Sequence, residues 1–350
     1  MSESPGKENY SNRAGRRQSA PPRSADRVGE VHHEVRTPIS AERVLLHRGA
    51  MLMLDELTEC GEGVARCRTT VSPDNPFLDA QGTLEGVALI EMLAQGAAAL
   101  RGYEASRAGG RPTSGYLVGI KELNLTATAR ADDSLAIEVR QTFVLEQTAI
   151  MEARVLNGAT LLAYGVLKVW EEPGLPAPPV ASTTSPAIQK HPAQSAHSPG
   201  ALDRWLRFAD RASRMHRAVL DSGTRIHPCG ARGQVAAEFS FRKAFPGFDG
   251  HFPSGPILPG VILLKTALVL AEGVVEEALE LACVEKAKFT GRVLPRQPVL
   301  VEVGLAPDGA TRSVRASVTS QGGNIATLRF DVRDGRGSNA RDDAEWMKSA

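Results

Sequence analysis

The stretch DGHFPSGPILPGVILLKTA, residues 249–267, carries the clearest structural signal in this sequence. Three prolines and three glycines surround one histidine, His251, and an apolar run with helical character follows at once. The prolines fix φ and remove N–H groups, whereas the glycines allow tight turns and close backbone approach. The stretch therefore predicts a histidine held at the start of a buried helix.

The start of that helix suits acid–base chemistry. Pro259-Gly260 opens it, and the free N–H groups and positive dipole end of a helix can stabilise a developing oxyanion. A base beside such a site is what proton removal next to a thioester carbonyl needs. From the loop alone two interpretations stay open: His251 is a catalytic base, or it only caps a proline-rich turn.

The chain repeats one pattern in two halves. Helix-like apolar runs occupy residues 86–103 and 260–279, and strand-like stretches follow each of them. The stretch 120–139 aligns without gaps with the stretch 284–303. This repetition predicts two domains of the same fold.

Each half ends in a predicted β-hairpin, at residues 149–170 around Asn-Gly and at residues 312–332 around Gly-Gly. A helix that is apolar on nearly every face must be buried, and a curved sheet wrapped around it would bury it. The sequence therefore predicts an α+β chain in which one buried helix and several antiparallel strands occur twice.

Composition sets the boundaries of the two halves. Residues 201–220 have a helical period and are predicted to lead into the second domain. The predicted segments are a disordered basic tail at 1–40, a first domain at 41–171, a Pro/Ala/Ser-rich linker at 172–200, a second domain at 201–333 and a loose tail at 334–350.

Bulk properties exclude several classes of protein. The net charge of +1 over 350 residues gives no argument for binding nucleic acid or an anionic membrane. No apolar run is long enough to span a membrane, and the N-terminus has no apolar core of a signal peptide. The four cysteines fit neither a zinc motif nor a disulfide framework, which predicts a reduced, cytoplasmic protein.

The motif GHFPSGPILPGV (250–261) resembles the signature of the β-hydroxyacyl-[acyl-carrier-protein] dehydratases of fatty acid synthesis, which have the hot-dog fold. In that family the histidine removes the α-proton, and a Glu or Asp on the central helix follows fourteen residues later. Here that later position is Lys265. The resemblance implies that the second domain keeps the base, His251, and lacks the acid.

The first domain shows the complementary defect. Its run GTLEGVALIEMLAQ (82–95) resembles the same helix when Gly86 is matched to Gly260. Glu91 then occupies the position of Lys265, and fourteen residues before Glu91 stands Phe77, where the family has its histidine.

Because the family's active sites are composite, with histidine and acid from different subunits, the resemblance implies a double hot-dog pseudo-dimer with one complete site. His251 would pair with Glu91, about 160 residues upstream. Phe77 would face Lys265 in a second site unable to do the chemistry. For Lys265 a snorkelling stem and a salt-bridge partner both stay open.

Neighbouring residues support the acid. Glu91 has apolar neighbours, so burial would raise its pKa and keep it protonated, although an exposed helix edge is the alternative. Gln95 lies one turn on and can hydrogen-bond the carboxyl.

The N–H of Gly260 or Gly86 is expected to stabilise the enolate-like oxygen. His47 is expected to pack locally.

The implied activity is elimination of water from a 3-hydroxyacyl thioester to give a trans-2-enoyl thioester. The substrate would be held on the phosphopantetheine of acyl carrier protein and would lie in an apolar tunnel between the domains. No cofactor is expected, and no His/Cys/Asp cluster has metal spacing. Either a solvated face or docking of the acidic carrier would explain the basic residues Lys286, Lys288, Arg292 and Arg296.

In lacking the histidine, the first domain resembles the dehydratase-like proteins that occur as pairs in aryl-polyene-type clusters. This resemblance favours polyene or polyketide-type synthesis over housekeeping fatty acid synthesis. Two other functions stay open: a hot-dog thioesterase in which Glu91 activates water, and a non-catalytic acyl-binding or scaffold protein. The pseudo-dimer is expected to act alone or to assemble into larger homo-oligomers.

Overall fold

A computed structural model describes residues 38–110, 114–172, 212–228, 233–252, 255–306 and 311–335. Most of the predicted linker and of both predicted tails lies outside these residues, as does the first part of the helix predicted at 201–220. Among the described helices, none combines the length and the apolar character needed to cross a membrane.

The two halves contain the same kinds of element. The first half consists of β1 (Ile39–Ser40), α1 (Ala41–Val44), β2 (Glu56–Gly61), β3 (Val64–Thr70), α2 (Gly86–Arg107), β4 (Gly115–Leu125), β5 (Ser134–Leu145), β6 (Thr148–Asn157) and β7 (Thr160–Glu171). The second consists of α3 (Arg214–Asp221), β8 (Gly223–Pro228), β9 (Gln234–Ser240), α4 (Gly260–Val275), β10 (Leu279–Phe289), β11 (Pro298–Ala306), β12 (Arg312–Ser320) and β13 (Gly323–Asp334).

The described strands form one antiparallel sheet in the order β1-β2-β3-β5-β6-β7-β4-β10-β13-β12-β11-β9-β8. The two halves meet where β4 pairs with β10, with Asn124 opposite Cys283 and Gly119 opposite Lys288. Each half wraps its sheet around one long helix, α2 or α4, and the two helices contact each other. The predicted double hot-dog architecture is thereby confirmed.

The long helices are buried because their sequences offer the sheet little polar surface. Even Glu91 and Gln95 of α2, and Lys265 of α4, are buried. Close packing also needs small residues, since a Cβ on Gly102 of α2 would come 2.0 Å from the carbonyl oxygen of Val44. The predicted burial of both helices is confirmed.

Element boundaries differ from the prediction in a few places. β1 lies inside the segment predicted as the basic tail, and β13 continues to Asp334. Helix α4 ends at Val275, four residues before the predicted end, because Glu276 adopts a left-handed conformation with φ +57°. The residues at the centre of the second hairpin turn are Gln321 and Gly322, both with positive φ, rather than the Gly-Gly pair.

Candidate active site

The His251 loop is bonded to a loop of the first domain. The N–H of Arg48 donates to the carbonyl oxygen of Gly250 at 2.8 Å, and the N–H of Met51 donates to that of Asp249 at 3.2 Å. Gly250 has φ +81°, and a Cβ at this position would lie 1.5 Å from the Arg48 carbonyl oxygen. Glycine is therefore required where the two domains are joined beside His251.

His251 is buried, and its tautomer is fixed. Its Nδ1 lies 2.8 Å from the carbonyl oxygen of Ile257. Because a carbonyl oxygen only accepts hydrogen bonds, Nδ1 carries the proton and Nε2 keeps a free lone pair. Burial lowers the His251 pKa to about 4, even though the bond to Ile257 acts in the opposite direction. The imidazole is therefore neutral at neutral pH.

Glu91 is buried on α2 and held by Gln95. The Gln95 amide donates to Glu91 Oε1 at 2.9 Å and to the Met51 carbonyl oxygen at 2.7 Å, and its Oε1 accepts from the N–H of Met53 at 2.9 Å. Burial raises the Glu91 pKa to about 7, although the Gln95 bond lowers it. The carboxyl is thus protonated in a large part of the molecules at neutral pH.

The structure brings His251 and Glu91 together from opposite domains. With His47 they form a cluster of three buried residues whose ligating atoms all lie within 4.8 Å of one another. The imidazole and the carboxyl are therefore close enough to act on adjacent atoms of one small molecule at the cavity.

His47 does not pack only against its local neighbours, so that expectation was wrong. Its Nε2 lies 3.7 Å from Glu91 Oε1, and its ring centroid lies 5.2 Å from that of His251 and 5.3 Å from that of Phe252. Burial lowers its pKa to about 3, with smaller effects from His251 and Arg48. The only sequence signal was a His-Arg-Gly step after an apolar segment, and no spacing rule links it to Glu91 or His251.

A cavity of about 280 Å³ lies between the domains and is bordered by all three residues of this cluster. Gly260, at the start of α4, also borders it. Of the two glycines predicted to support an oxyanion, Gly86 is not among the described residues that line the cavity. It packs against Leu125 instead, which a Cβ on Gly86 would approach to 2.8 Å.

The cavity wall carries a cluster of aromatic rings. Tyr116 stacks on Trp170 with ring centroids 5.9 Å apart and lies 5.6 Å from the Phe252 ring. The guanidinium of Arg292 lies 4.3 Å from the Tyr116 ring centroid. Arg292 and the Tyr116 hydroxyl both donate to the carboxylate of Glu172, at 3.1 Å and 2.8 Å.

The four basic residues considered for carrier docking do not all border this cavity. Arg292 does, but Lys286 and Lys288 line a separate groove on the second domain. Arg296 has φ +65°, and its N–H donates to the Phe241 carbonyl oxygen at 2.7 Å. Of these four residues, only Arg292 borders the cavity.

The second site, predicted where Phe77 faces Lys265, is filled by buried side chains that include a charged network. Phe77 is fully buried, and the Lys265 ammonium lies 3.0 Å from Glu85 Oε1, so Lys265 is a salt-bridge partner. His216 Nε2 lies 3.7 Å from Glu272 Oε2, and both residues are buried. Sequence reasoning missed Glu85, Glu272 and His216, because no motif surrounds them.

Comparisons with known proteins identify the family of both halves of the chain. Residues 39–177 match the family model ApeP-like, described as ApeP dehydratase. Residues 229–327 match the model ApeI-like, described as ApeI dehydratase. The dehydratase domain of RzxB from Pseudomonas fluorescens shares the fold, with a TM-score of 0.51 and 16% identity over 82% of this chain and 99% of that chain.

Two curated relatives are 3-hydroxyacyl-[acyl-carrier-protein] dehydratases FabZ. That of Histophilus somni (strain 2336) is 32% identical over 90 residues, which span 23% of this chain and 59% of the relative's length. That of Streptococcus agalactiae serotype V is 30% identical over 98 residues, which span 25% of this chain and 69% of the relative. The chain therefore belongs to the hot-dog family of 3-hydroxyacyl-[acyl-carrier-protein] dehydratases and joins two tandem domains of that family in one polypeptide.

Proposed function

We propose that the protein removes water from 3-hydroxyacyl thioesters carried on acyl carrier protein and forms trans-2-enoyl thioesters. The observation that carries this proposal is the meeting of His251 and Glu91, one from each domain, within 4.8 Å at a shared cavity. One molecule would then contain one complete hydro-lyase site, serving fatty acid, polyene or polyketide-type synthesis.

His251 acts as the base. Its neutral Nε2 accepts the proton from C2 of the substrate, and the electrons of the C2–H bond move toward the thioester carbonyl. The hydrogen bond from Nδ1 to the Ile257 carbonyl oxygen, 2.8 Å long, orients the ring and stabilises the imidazolium that forms. The N-terminus of α4 at Gly260 stabilises the negative charge on the carbonyl oxygen.

Glu91 acts as the acid. Because Glu91 Oε1 accepts from Gln95 at 2.9 Å, the acidic proton belongs on Oε2. That proton passes to the 3-hydroxyl as the C3–O bond breaks, so that water leaves and the C2–C3 double bond forms. The reaction leaves an imidazolium and a carboxylate, and one proton transfer from His251 to Glu91 restores both groups.

The names of relatives and the surroundings of this pair support the proposed substrate and carrier. Both FabZ relatives are named as dehydratases of substrates on acyl carrier protein. The phosphopantetheine arm would enter beside Tyr116 and Arg292, and the acyl chain would lie along the apolar cavity.

The proton acceptor and donor suffice for the reaction, so we propose no cofactor. The free, buried Cys60 and Cys67 fit a reducing cytoplasm.

The test is incubation of the full-length chain with 3-hydroxyacyl carrier protein, followed by mass spectrometry of the acyl group. We expect loss of one water, and we expect His251→Ala and Glu91→Gln each to abolish it. His216→Ala and Glu272→Gln are matched controls, because they alter a buried His–Glu pair of the same 3.7 Å spacing as His47–Glu91 outside the cavity. Both controls should keep turnover.

Two other outcomes would overturn the proposal. Release of the free acid would indicate a thioesterase in which Glu91 activates water. An unchanged acyl group, with acyl binding retained, would indicate a scaffold or acyl-binding protein. Equal losses from all four variants would contradict a single site between the domains.

A further inference from the structure

We propose that His47, Glu91 and His251 form a divalent-metal site that binds Zn²⁺ and that shuts off the catalytic pair when it is occupied. The metal is an inhibitor in this proposal, not a cofactor. Its inhibitory effect rests on the proposed dehydratase function, whereas the binding of the ion does not.

The donor set suits zinc. Two imidazole nitrogens and one carboxylate oxygen are common zinc ligands, and three protein ligands with an open fourth position recur in proteins that bind zinc next to a substrate cavity. All three residues line the cavity, so a water molecule or another small ligand can reach the fourth position.

The distances are close to those of a coordination sphere. A tetrahedral site with bonds of about 2.1 Å places its ligand atoms about 3.4 Å apart. His47 Nε2 and Glu91 Oε1 are already 3.7 Å apart. Since all three ligating atoms lie within 4.8 Å of one another, no pair has to approach by more than about 1.4 Å, which side-chain rotation can supply.

Two of the three ligands also have the supporting bonds that metal ligands use. His251 Nδ1 donates to the Ile257 carbonyl oxygen, which directs Nε2 toward the cluster. Gln95 donates to the Glu91 carboxyl at 2.9 Å and is itself held by the Met53 N–H. Such outer bonds fix the orientation and basicity of metal ligands.

The imidazole of His47 is not fully hydrogen-bonded by the described residues around it. It is 6% exposed, and its Nδ1 is buried without a hydrogen-bond partner among the described residues. Its Nε2 lies 3.7 Å from Glu91 Oε1, beyond hydrogen-bond distance. Nε2 therefore has space for a bound cation, with the ring proton carried on Nδ1.

The other buried His–Glu pair lacks these properties. His216 and Glu272 also lie 3.7 Å apart, but the ammonium of Lys265 acts on both of them and would repel a cation. The described residues place no third histidine or carboxylate there in ligand geometry. His216 therefore offers a control of the same residue type and burial.

Zinc bound by these three residues would stop the proposed reaction for two reasons. Coordination takes up the Nε2 lone pair of His251, which is the proton acceptor. It also requires the Glu91 carboxylate without its proton, so that the acid is lost. Zinc should compete with the acyl substrate for the cavity.

Binding is tested on the chelator-treated, full-length protein by calorimetric titration with ZnCl₂ at neutral pH, without substrate. We expect one ion per chain. His47→Ala, His251→Ala and Glu91→Gln should each weaken binding by more than about tenfold, and His216→Ala should leave it unchanged. X-ray absorption at the zinc edge of the unmodified protein should show two imidazole ligands, which does not depend on how the variants fold.

Absence of stoichiometric binding, or a spectrum without imidazole scattering, would overturn the inference. Undiminished binding after any of the three substitutions would do the same. A parallel assay with carrier-bound substrate separates the two proposals, because zinc binding without dehydration would refute only the proposed function. Dehydration that is indifferent to saturating zinc would refute only the inhibitory role.

Discussion

At the scale of single residues, burial sets the protonation states that the proposed reaction needs. Taking His251 out of water disfavours its charged form, whereas taking Glu91 out of water favours its neutral, protonated form. The same physical cause thus produces a free base and a proton-bearing acid at one pH, without a charged partner beside either group.

The first prediction concerns the pH profile of kcat/KM. Activity needs neutral His251, whose pKa is about 4, and protonated Glu91, whose pKa is about 7. The profile should therefore rise as pH increases through about 4, where His251 loses its proton, and fall as pH increases through about 7, where Glu91 loses its own. Rates of the full-length protein measured across this range check it. A rate that keeps rising above neutral pH would contradict the role of Glu91 as acid.

The second prediction concerns Gln95→Leu. The hydrogen bond from Gln95 lowers the Glu91 pKa, so its removal should raise that pKa and move the alkaline limb of the profile to higher pH. The variant also leaves the Met53 N–H and Met51 carbonyl without their partner, which should cost about 1–3 kcal/mol of unfolding free energy for each group. Urea unfolding and the pH profile measure the two effects.

Gln297→Leu is the control for that experiment. Gln297 makes similar bonds, to the N–H of Leu294 at 3.0 Å and to Ser320 at 2.9 Å, but it does not line the cavity. It should lower stability and leave the alkaline limb in place. An unshifted limb in Gln95→Leu would show that Gln95 does not tune the acid.

Sequence reasoning reached Glu91 and His251 because each keeps its place in a family motif, and matching Gly86 to Gly260 aligned the two helices. It missed His47 because that residue joins the pair only through the folded contact between two loops. No local spacing encodes such a contact.

At the scale of elements, the site depends on two loops from different domains. The backbone bonds from Arg48 and Met51 to the residues just before His251 act like a short ladder between the domains. They tie the loop that carries His251 in the second domain to the first domain. The position of His251 relative to the first domain therefore depends on this contact.

Gly250→Ala should break that contact. Its φ of +81° is unfavourable for alanine, and the added Cβ would lie 1.5 Å from the Arg48 carbonyl oxygen, so the loop must move. We expect at least about a hundredfold loss of turnover, because displacing a catalytic group by about 1 Å can cost that much. Turnover and a thermal melt measure the effect.

Gly255→Ala, in the same proline-rich loop, is the matched control, because no atom lies within 4 Å of its added Cβ. It should retain turnover. Similar losses in the two variants would show that the loop tolerates no methyl group anywhere, rather than that the contact with Arg48 matters.

The sequence predicted elements better than their ends. The long helices and hairpins were predictable because their apolar periodicity extends over many residues. The end of α4 was not, because EEALE (276–280) has good helix formers and only the left-handed Glu276 and the pairing of β10 stop the helix there. Tertiary pairing overrides local propensity at such positions.

At the scale of the whole molecule, the two copies of the helix motif, one in each domain, have different surroundings. One borders a cavity with His251 and Glu91, and the other is filled by Phe77 and a buried ion pair between Lys265 of the second domain and Glu85 of the first. Helix α3 adds a bond between the domains there, from the Met215 N–H to the Pro76 carbonyl oxygen at 2.8 Å. These contacts join the two domains.

The meeting of His251 and Glu91 across the domains could be predicted from the sequence because the helix motif occurs twice. The filling of the lost site could not. Glu85 lies just before α2 and Glu272 lies late in α4, so the Lys265 network forms only when both helices are packed together. Sequence spacing gives no measure of that packing.

Lys265→Met therefore tests whether the ion pair joins the domains. It leaves the Glu85 carboxylate, 16% exposed, without its cation, and breaking a buried pair in this way should lower the unfolding free energy by about 3 kcal/mol. Glu85→Gln added to Lys265→Met should recover most of that loss, since the Glu85 charge is then also removed.

Arg333→Met is the control: it removes an exposed pair with Glu280 and should cost at most about 1 kcal/mol. Urea unfolding measures all three, and turnover of the folded Lys265→Met protein should match that of the unmodified protein. If Lys265→Met were as stable as Arg333→Met, the pair would not hold the domains together. If Lys265→Met lost turnover at full stability, Lys265 and its surroundings would take part in the reaction.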